Sequence, residues 1–224
     1  MNFQVLSVNQ VSKKFTQLFI FDHTTYNFES NHSYALMGPS GIGKSTMMAM
    51  MAGIDHPTHG TIQLNGIVIS HQTFAQRIAL LQNQIGIVFQ QPCLIAELTV
   101  LENVMLKCVI QETITEQFKI HALNLLSQVG LEDKAFCFPH TLSGGQQQKI
   151  AILRAIFYVP KFLLVDEPTA NLDRQSAEQI IALLLKYQKK YAMGLIMSTH
   201  DIFVAKQCDK VLHIEHQKLV ELKS

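Results

Sequence analysis

Apolar residues come in short, punctuated blocks along this chain. Ser33-Tyr34-Ala35-Leu36-Met37 is an apolar run of buried-strand length, and Met47 to Ala52 is a run of good helix formers that stops at Gly53. Ile85 to Phe89, Phe162 to Val165 and Leu195 to Ser198 are further strand-length apolar runs. Between them the spacing turns helical. Thr73 to Gln82 repeats Phe74, Ile78 and Leu81, Thr99 to Cys108 is helix-like, and Asp173 starts a helix that extends to about Lys190. Thr113-Ile114-Thr115-Glu116 reads as a capping box opening a helix to Val129, stopped by Gly130. Phe3 to Val8 alternates like a half-buried strand, a β-leaning stretch follows from Phe19 to Phe28, and Asn65-Gly66 joins Thr61–Leu64 to Ile67–Ile69 as a type I′ hairpin. Helix Ile202 to Gln207 and a strand pair, Val211 to Ile214 and Lys218 to Leu222, close the chain. Strands alternating with helices predict an α/β fold with a mostly parallel sheet, interrupted by a helical insertion from Thr99 to Gly130.

Between the first buried strand and its helix lies Gly38-Pro39-Ser40-Gly41-Ile42-Gly43-Lys44-Ser45-Thr46, a phosphate-binding loop in its proper strand–loop–helix context. Glycines let backbone N–H groups turn toward an anion, and the helix N-terminus adds partial positive charge. Lys44 can then reach the outer phosphates and the Ser45 hydroxyl can sit on Mg²⁺. The chain is expected to bind a nucleoside triphosphate.

Two more features carry chemistry. In Leu142-Ser143-Gly144-Gly145-Gln146, Ser143 is a good N-cap and the glycines leave the first N–H groups of a helix uncovered, which makes a second anion cradle. Asp166-Glu167 follows an apolar strand directly. A carboxylate at the C-terminal end of a core strand can complete a Mg²⁺ site, directly or through water, and the adjacent Glu167 can deprotonate a water attacking the γ-phosphate.

Composition narrows the class. The chain has 224 residues with a net charge of +1, so it can bury a core as one α/β domain and shows no basic face for nucleic acid. Apolar residues reach 48%, yet no run is long enough for a membrane span, and the richest segment, Ala151 to Val159, is interrupted by Arg154. Some of that apolar surface is available to a partner. The N-terminal residues carry no basic start and do not read as a signal peptide. Cys93, Cys108, Cys137 and Cys208 have neither C-x-x-C pairing nor metal spacing, which suits free thiols in a cytosolic protein. His213 and His216 are read as surface residues rather than metal ligands.

Taken together, these motifs resemble the nucleotide-binding subunit of an ABC transporter, from Phe3 to about Leu222. Gly38 to Thr46 matches the Walker A loop, Gln90 the Q-loop glutamine, and Leu142 to Gln146 the signature motif. Phe162 to Glu167 matches Walker B, Asn171-Leu172-Asp173 the D-loop, and His200 the switch histidine. LSGGQ is the specific element, since phosphate loops occur in many unrelated NTPases. The resemblance implies a single ABC ATPase domain over residues 1–224. It would have a mostly parallel, RecA-like core sheet, an antiparallel β subdomain and a helical subdomain inserted at 92–141. It implies ATP and Mg²⁺ as ligands, with Ser45, Gln90 and Asp166 toward the metal, Glu167 as base, and His200 orienting water and γ-phosphate. It also implies a head-to-tail homodimer in which Ser143, Gly144, Gly145 and Gln146 of one subunit close over the ATP held by Lys44 of the other.

Softer signals, in Gly53 to Gly60, Thr99 to Val104 and Thr169 to Asp173, look like the group serving lipoprotein release, macrolide or peptide export, and cell-division control. That likeness implies a peripheral subunit on the cytoplasmic face of the inner membrane, powering integral membrane permease subunits, with a coupling helix received near Gln90 and the insertion. A regulatory ATPase of the cell-division kind, signalling through its membrane partner without transport, is the alternative. A soluble ABC ATPase of DNA repair or translation fits less well, because the long coiled coils or second ATPase half of those proteins are missing from this sequence. The sequence departs from the family pattern at Phe15, where tyrosine usually stacks on the base, and at Ile42, Lys149 and Leu153. None of these removes a catalytic group. By itself, Phe15 reads equally as a base-stacking aromatic or as a strand-edge core residue.

Overall fold

The computed structural model of the protein describes residues 4–16, 18–82, 84–170 and 172–222. Phe3, the expected start of the first strand, and Asn171 of the D-loop match lie outside the described residues, as does the side chain of Phe74.

Two sheets organise the chain. The first is antiparallel, in the order β2-β1-β4-β5, from β1 (Val5–Phe15), β2 (Leu18–Glu29), β4 (His59–Leu64) and β5 (Ile67–Val68). Asn65 and Gly66 turn the β4–β5 hairpin with φ of 51° and 80°, the left-handed pair that a type I′ turn requires.

The second sheet holds β3 (Ser33–Met37), β6 (Ile85–Val88), β7 (Phe162–Asp166), β8 (Gly194–Thr199), β9 (Lys210–Glu215) and β10 (Lys218–Glu221), in the order β10-β9-β3-β8-β7-β6. All of its pairings are parallel except β9 with β10. Its central strands are apolar on both faces because both faces are covered. Leu163, Val165, Leu195 and Met197 point into one apolar cluster, and Phe162, Leu164 and Ile196 into another. This alternation is the two-residue period of a strand read across a fully buried sheet. Each such side chain contributes about 1.5–3 kcal/mol by leaving water.

The second cluster also takes in α1 (Lys44–Met51), whose Met47, Met48, Met50 and Met51 are buried, and the inner face of the antiparallel sheet. The first cluster is closed by α3 (Val100–Val104), α5 (Glu116–Gln128), α6 (Gly144–Ile156) and α7 (Arg174–Tyr191). The remaining helices are α2 (Phe74–Leu81), α4 (Leu106–Ile110) and α8 (Ile202–Ala205). No helix of the described residues is long and apolar enough to cross a membrane.

Three local expectations are corrected. The helix expected from Thr113 opens at Thr115, whose hydroxyl accepts from Phe118 N at 3.3 Å. The Thr113 N–H instead donates to Cys108 O at 3.0 Å, closing the end of α4. The helix expected over Thr99–Cys108 splits at Met105 into α3 and α4. Phe89, expected to end a buried strand, lies beyond β6 and is 40% exposed.

Candidate active site

Strand order assembles the site. In the sheet, β3 lies beside β8, β8 beside β7, and β7 beside β6, all parallel. The loops leaving their C-terminal ends therefore emerge side by side: Gly38–Gly43 after β3, Thr199-His200 after β8, Glu167 after β7 and Gln90 after β6. This is the edge at which open α/β sheets bind ligands. A cleft of ≈ 290 Å³ opens there, lined by Ser40, Gly41, Gly43, Lys44, Ser45, Thr46, Gln90, Glu167, Ala170 and His200.

The loop is shaped by glycine where nothing else fits. Gly43 has φ of 114°, and a Cβ on it would lie 2.4 Å from Ile20 Cγ2. Gly43 also precedes α1 with no side-chain cap, so the first-turn N–H groups of α1 remain available to an anion in the cleft. Lys44 is buried, and its ammonium donates to Gly38 O at 2.8 Å and Pro39 O at 3.2 Å. Ile42 N reaches Pro39 O at 3.3 Å and tightens the same turn.

Across the cleft, Glu167 is held by both ends of its residue. Its backbone, left-handed at φ 44°, donates to Ser198 Oγ at 2.9 Å and Ser198 O at 3.2 Å. Its carboxylate lies 3.3 Å from Lys44 Nζ through Oε1 and 2.8 Å from His200 Nδ1 through Oε2. A carboxylate facing Nδ1 places the proton on that nitrogen and leaves Nε2 as the outward-facing atom of His200. Asp166, one residue earlier on β7, receives a short hydrogen bond from Ser198 Oγ to its Oδ1.

The sequence-predicted residues divide into two groups. Lys44, Ser45, Thr46, Gln90, Glu167 and His200 converge on the cleft, with Gly38 and Pro39 holding Lys44 from behind. Ser143, Gly144, Gly145 and Gln146 do not line it. They form the start of α6, where the Ser143 side chain accepts from Gln146 N and the Gln146 side chain returns to Ser143 N at 2.9 Å. Gly145 sits against Ser176 at the start of α7, close enough that a Cβ would lie 3.2 Å from Ser176 Oγ. Phe15 ends β1 at 48% exposure with Lys13 Nζ 5.0 Å above its ring, so it is not a core residue. Sequence reasoning missed Ser198. Its one signal is a hydroxyl two positions before His200 at the end of an apolar strand.

Residues 21–170 match the family described as ABC transporter. The chain belongs to that family. It carries the ABC ATPase cassette fold and is an ATP-binding ATPase. It is 37% identical over 220 residues to the uncharacterized ABC transporter ATP-binding protein YvrO of Bacillus subtilis, covering 96% of each chain. It is 38% identical over 185 residues to the lipoprotein-releasing system ATP-binding protein LolD of Legionella pneumophila, covering 83% of this chain and 82% of LolD. Among solved structures, it matches the dimeric cassette MJ0796 in a post-hydrolysis state bound to ADP and Pi, with a TM-score of 0.88 and 31% identity over 97% of this chain and 98% of that one.

Proposed function

We propose that this chain hydrolyses ATP at a site completed by a second copy of itself, and that it does so to drive an integral membrane permease. One observation carries the composite site. The signature residues form a helix start that does not line the cleft holding Lys44 and Glu167, so a second subunit's cleft is where it would meet a γ-phosphate. Ser143, Gly144 and Gly145 would close over the γ-phosphate, with Gln146 fixing the cap.

The chemistry follows from the groups in the cleft. Lys44 and the first-turn N–H groups of α1 bind the phosphates, and the γ-phosphate takes the place of Glu167 beside Lys44. One Glu167 oxygen is thereby freed to accept a proton from the attacking water, while His200, steadied by the other oxygen, presents Nε2 toward water and γ-phosphate. Phe15 offers an open ring face to the base, backed by Lys13.

The donors fit Mg²⁺. Ser45 and Gln90 line the cleft, and Asp166 ends the neighbouring strand. Mg²⁺ binds this way, through few protein oxygens plus phosphates. When bound, it supplies positive charge to the phosphate oxygens.

Kinship with LolD and with the macrolide export protein MacB of Rhodopirellula baltica, 38% identical over 199 residues that make up 29% of MacB, supports export or extraction of lipoprotein, peptide or drug. The chain would then lie on the cytoplasmic face of the inner membrane, with helical stretch 92–141 turned to the permease. The composite site is tested by sedimentation of Glu167→Gln protein with and without MgATP. A dimer that forms only with ATP is expected, and Ser143→Arg in the same background is expected to remain monomeric. A Glu167→Gln chain that binds ATP and stays monomeric contradicts the shared site.

A further inference from the structure

Between the end of β6 at Val88 and the start of α3 at Val100, the chain forms neither helix nor strand, so no backbone ladder fixes Gln90. Side chains do that work instead. Downstream, buried Asn103 accepts from Ile95 N at 2.8 Å and donates to Ile95 O, Leu98 O and Thr99 O at 3.0 Å each. Close to Gln90, the Arg154 guanidinium donates from Nη2 to Pro92 O and from Nη1 to Cys93 O, both at 2.8 Å. Cys93 holds a left-handed φ of 47°, a conformation unfavourable for a residue with a side chain unless its surroundings enforce it. A planar fork grasping two consecutive carbonyls is such an enforcement, and only arginine supplies it.

We infer that Arg154 is a positioning residue for Gln90: from α6 it pins the exit of the Gln90 loop, so the helix whose N-terminus carries Ser143 also sets where Gln90 stands in the cleft. This rests on the ATPase reading above and extends it. The same guanidinium lines a largely apolar groove of ≈ 460 Å³ with Ile78, Leu81, Ile85, Phe157 and Tyr158. A change in that groove therefore reaches Gln90 through one hydrogen bond, Arg154 to Pro92 O, and then two residues of backbone.

A double-mutant cycle on the purified chain tests this. Arg154→Lys keeps the charge but cannot satisfy both carbonyls, and Arg154→Met keeps the apolar stem. Displacing a catalytic-site group by an ångström lowers turnover by about 10- to 100-fold. A fall in that range in kcat, with KM for ATP little changed, is expected for either variant. In a Gln90→Ala background the same substitutions are expected to lower kcat by less than about twofold, because the group they position is gone. Melting temperature, read in parallel, should fall equally in both backgrounds and so separates folding from positioning. Equal kcat factors in both backgrounds overturn the inference while leaving the ATPase reading intact. Unchanged kcat in Gln90→Ala alone overturns the role of Gln90 and this inference with it.

Discussion

Glu167→Gln protein is expected to bind ATP and scarcely hydrolyse it. Glutamine keeps the size of the side chain and an oxygen for the His200 Nδ1 proton, so the 2.8 Å contact survives in kind. It cannot accept a proton from water. General-base catalysis by a positioned carboxylate contributes about 10²- to 10⁴-fold, so kcat should fall by a factor in that range. Binding should hold or tighten, because the Lys44 ammonium, now 3.3 Å from the carboxylate, no longer has an anion competing with the γ-phosphate. Phosphate release at saturating ATP measures the first effect, and equilibrium ATP binding the second. Turnover at the native rate removes Glu167 from the mechanism.

Lys44→Ala should act on the other side of the same ion pair, with binding as the first casualty. The ammonium makes charge-assisted contacts, and hydrogen bonds to charged groups are worth about 1.5–3 kcal/mol, which corresponds to roughly a 10- to 100-fold rise in Kd for ATP. The variant also removes the ammonium from beside Glu167, whose side chain is only 14% exposed, and leaves it the His200 Nδ1 contact. Hydrolysis should therefore stay impaired even when ATP is raised far enough to fill the site. Titration calorimetry and turnover at saturating ATP separate the two losses. Equal affinities for ATP in the variant and the native chain contradict the placement of Lys44 at the phosphates.

The meeting of Lys44, Gln90, Glu167 and His200 at one cleft was legible in the sequence because its parts are local. Lys44 follows its glycines directly, Glu167 follows a strand that is apolar from Phe162 to Val165 and ends in Asp166, and parallel β-strands bring such loop ends to one edge without further instruction. What escaped is what spans long separations. Ser198 lies 31 positions from the Glu167 N–H it accepts, and Arg154 lies 61 positions from the Cys93 carbonyl it holds. Their sequence surroundings read only as strand end and helix interior. Thr113 and Thr115 show the same limit at short range. Both are good caps, and the sequence alone does not say which hydroxyl meets the first free N–H of the helix; in the structure it is Thr115, on Phe118 N. Exposure, which the sequence does not carry, is what sets Phe15 outside the core.

The central claim, an ATPase that works on a membrane permease, is tested most directly by affinity capture from solubilised membranes of the source organism, using tagged Glu167→Gln protein loaded with ATP. The expected result is co-purification of an integral membrane protein in stoichiometric amount. Recovery of cytosolic complexes with no integral membrane protein would contradict the permease and leave only the ATP site standing.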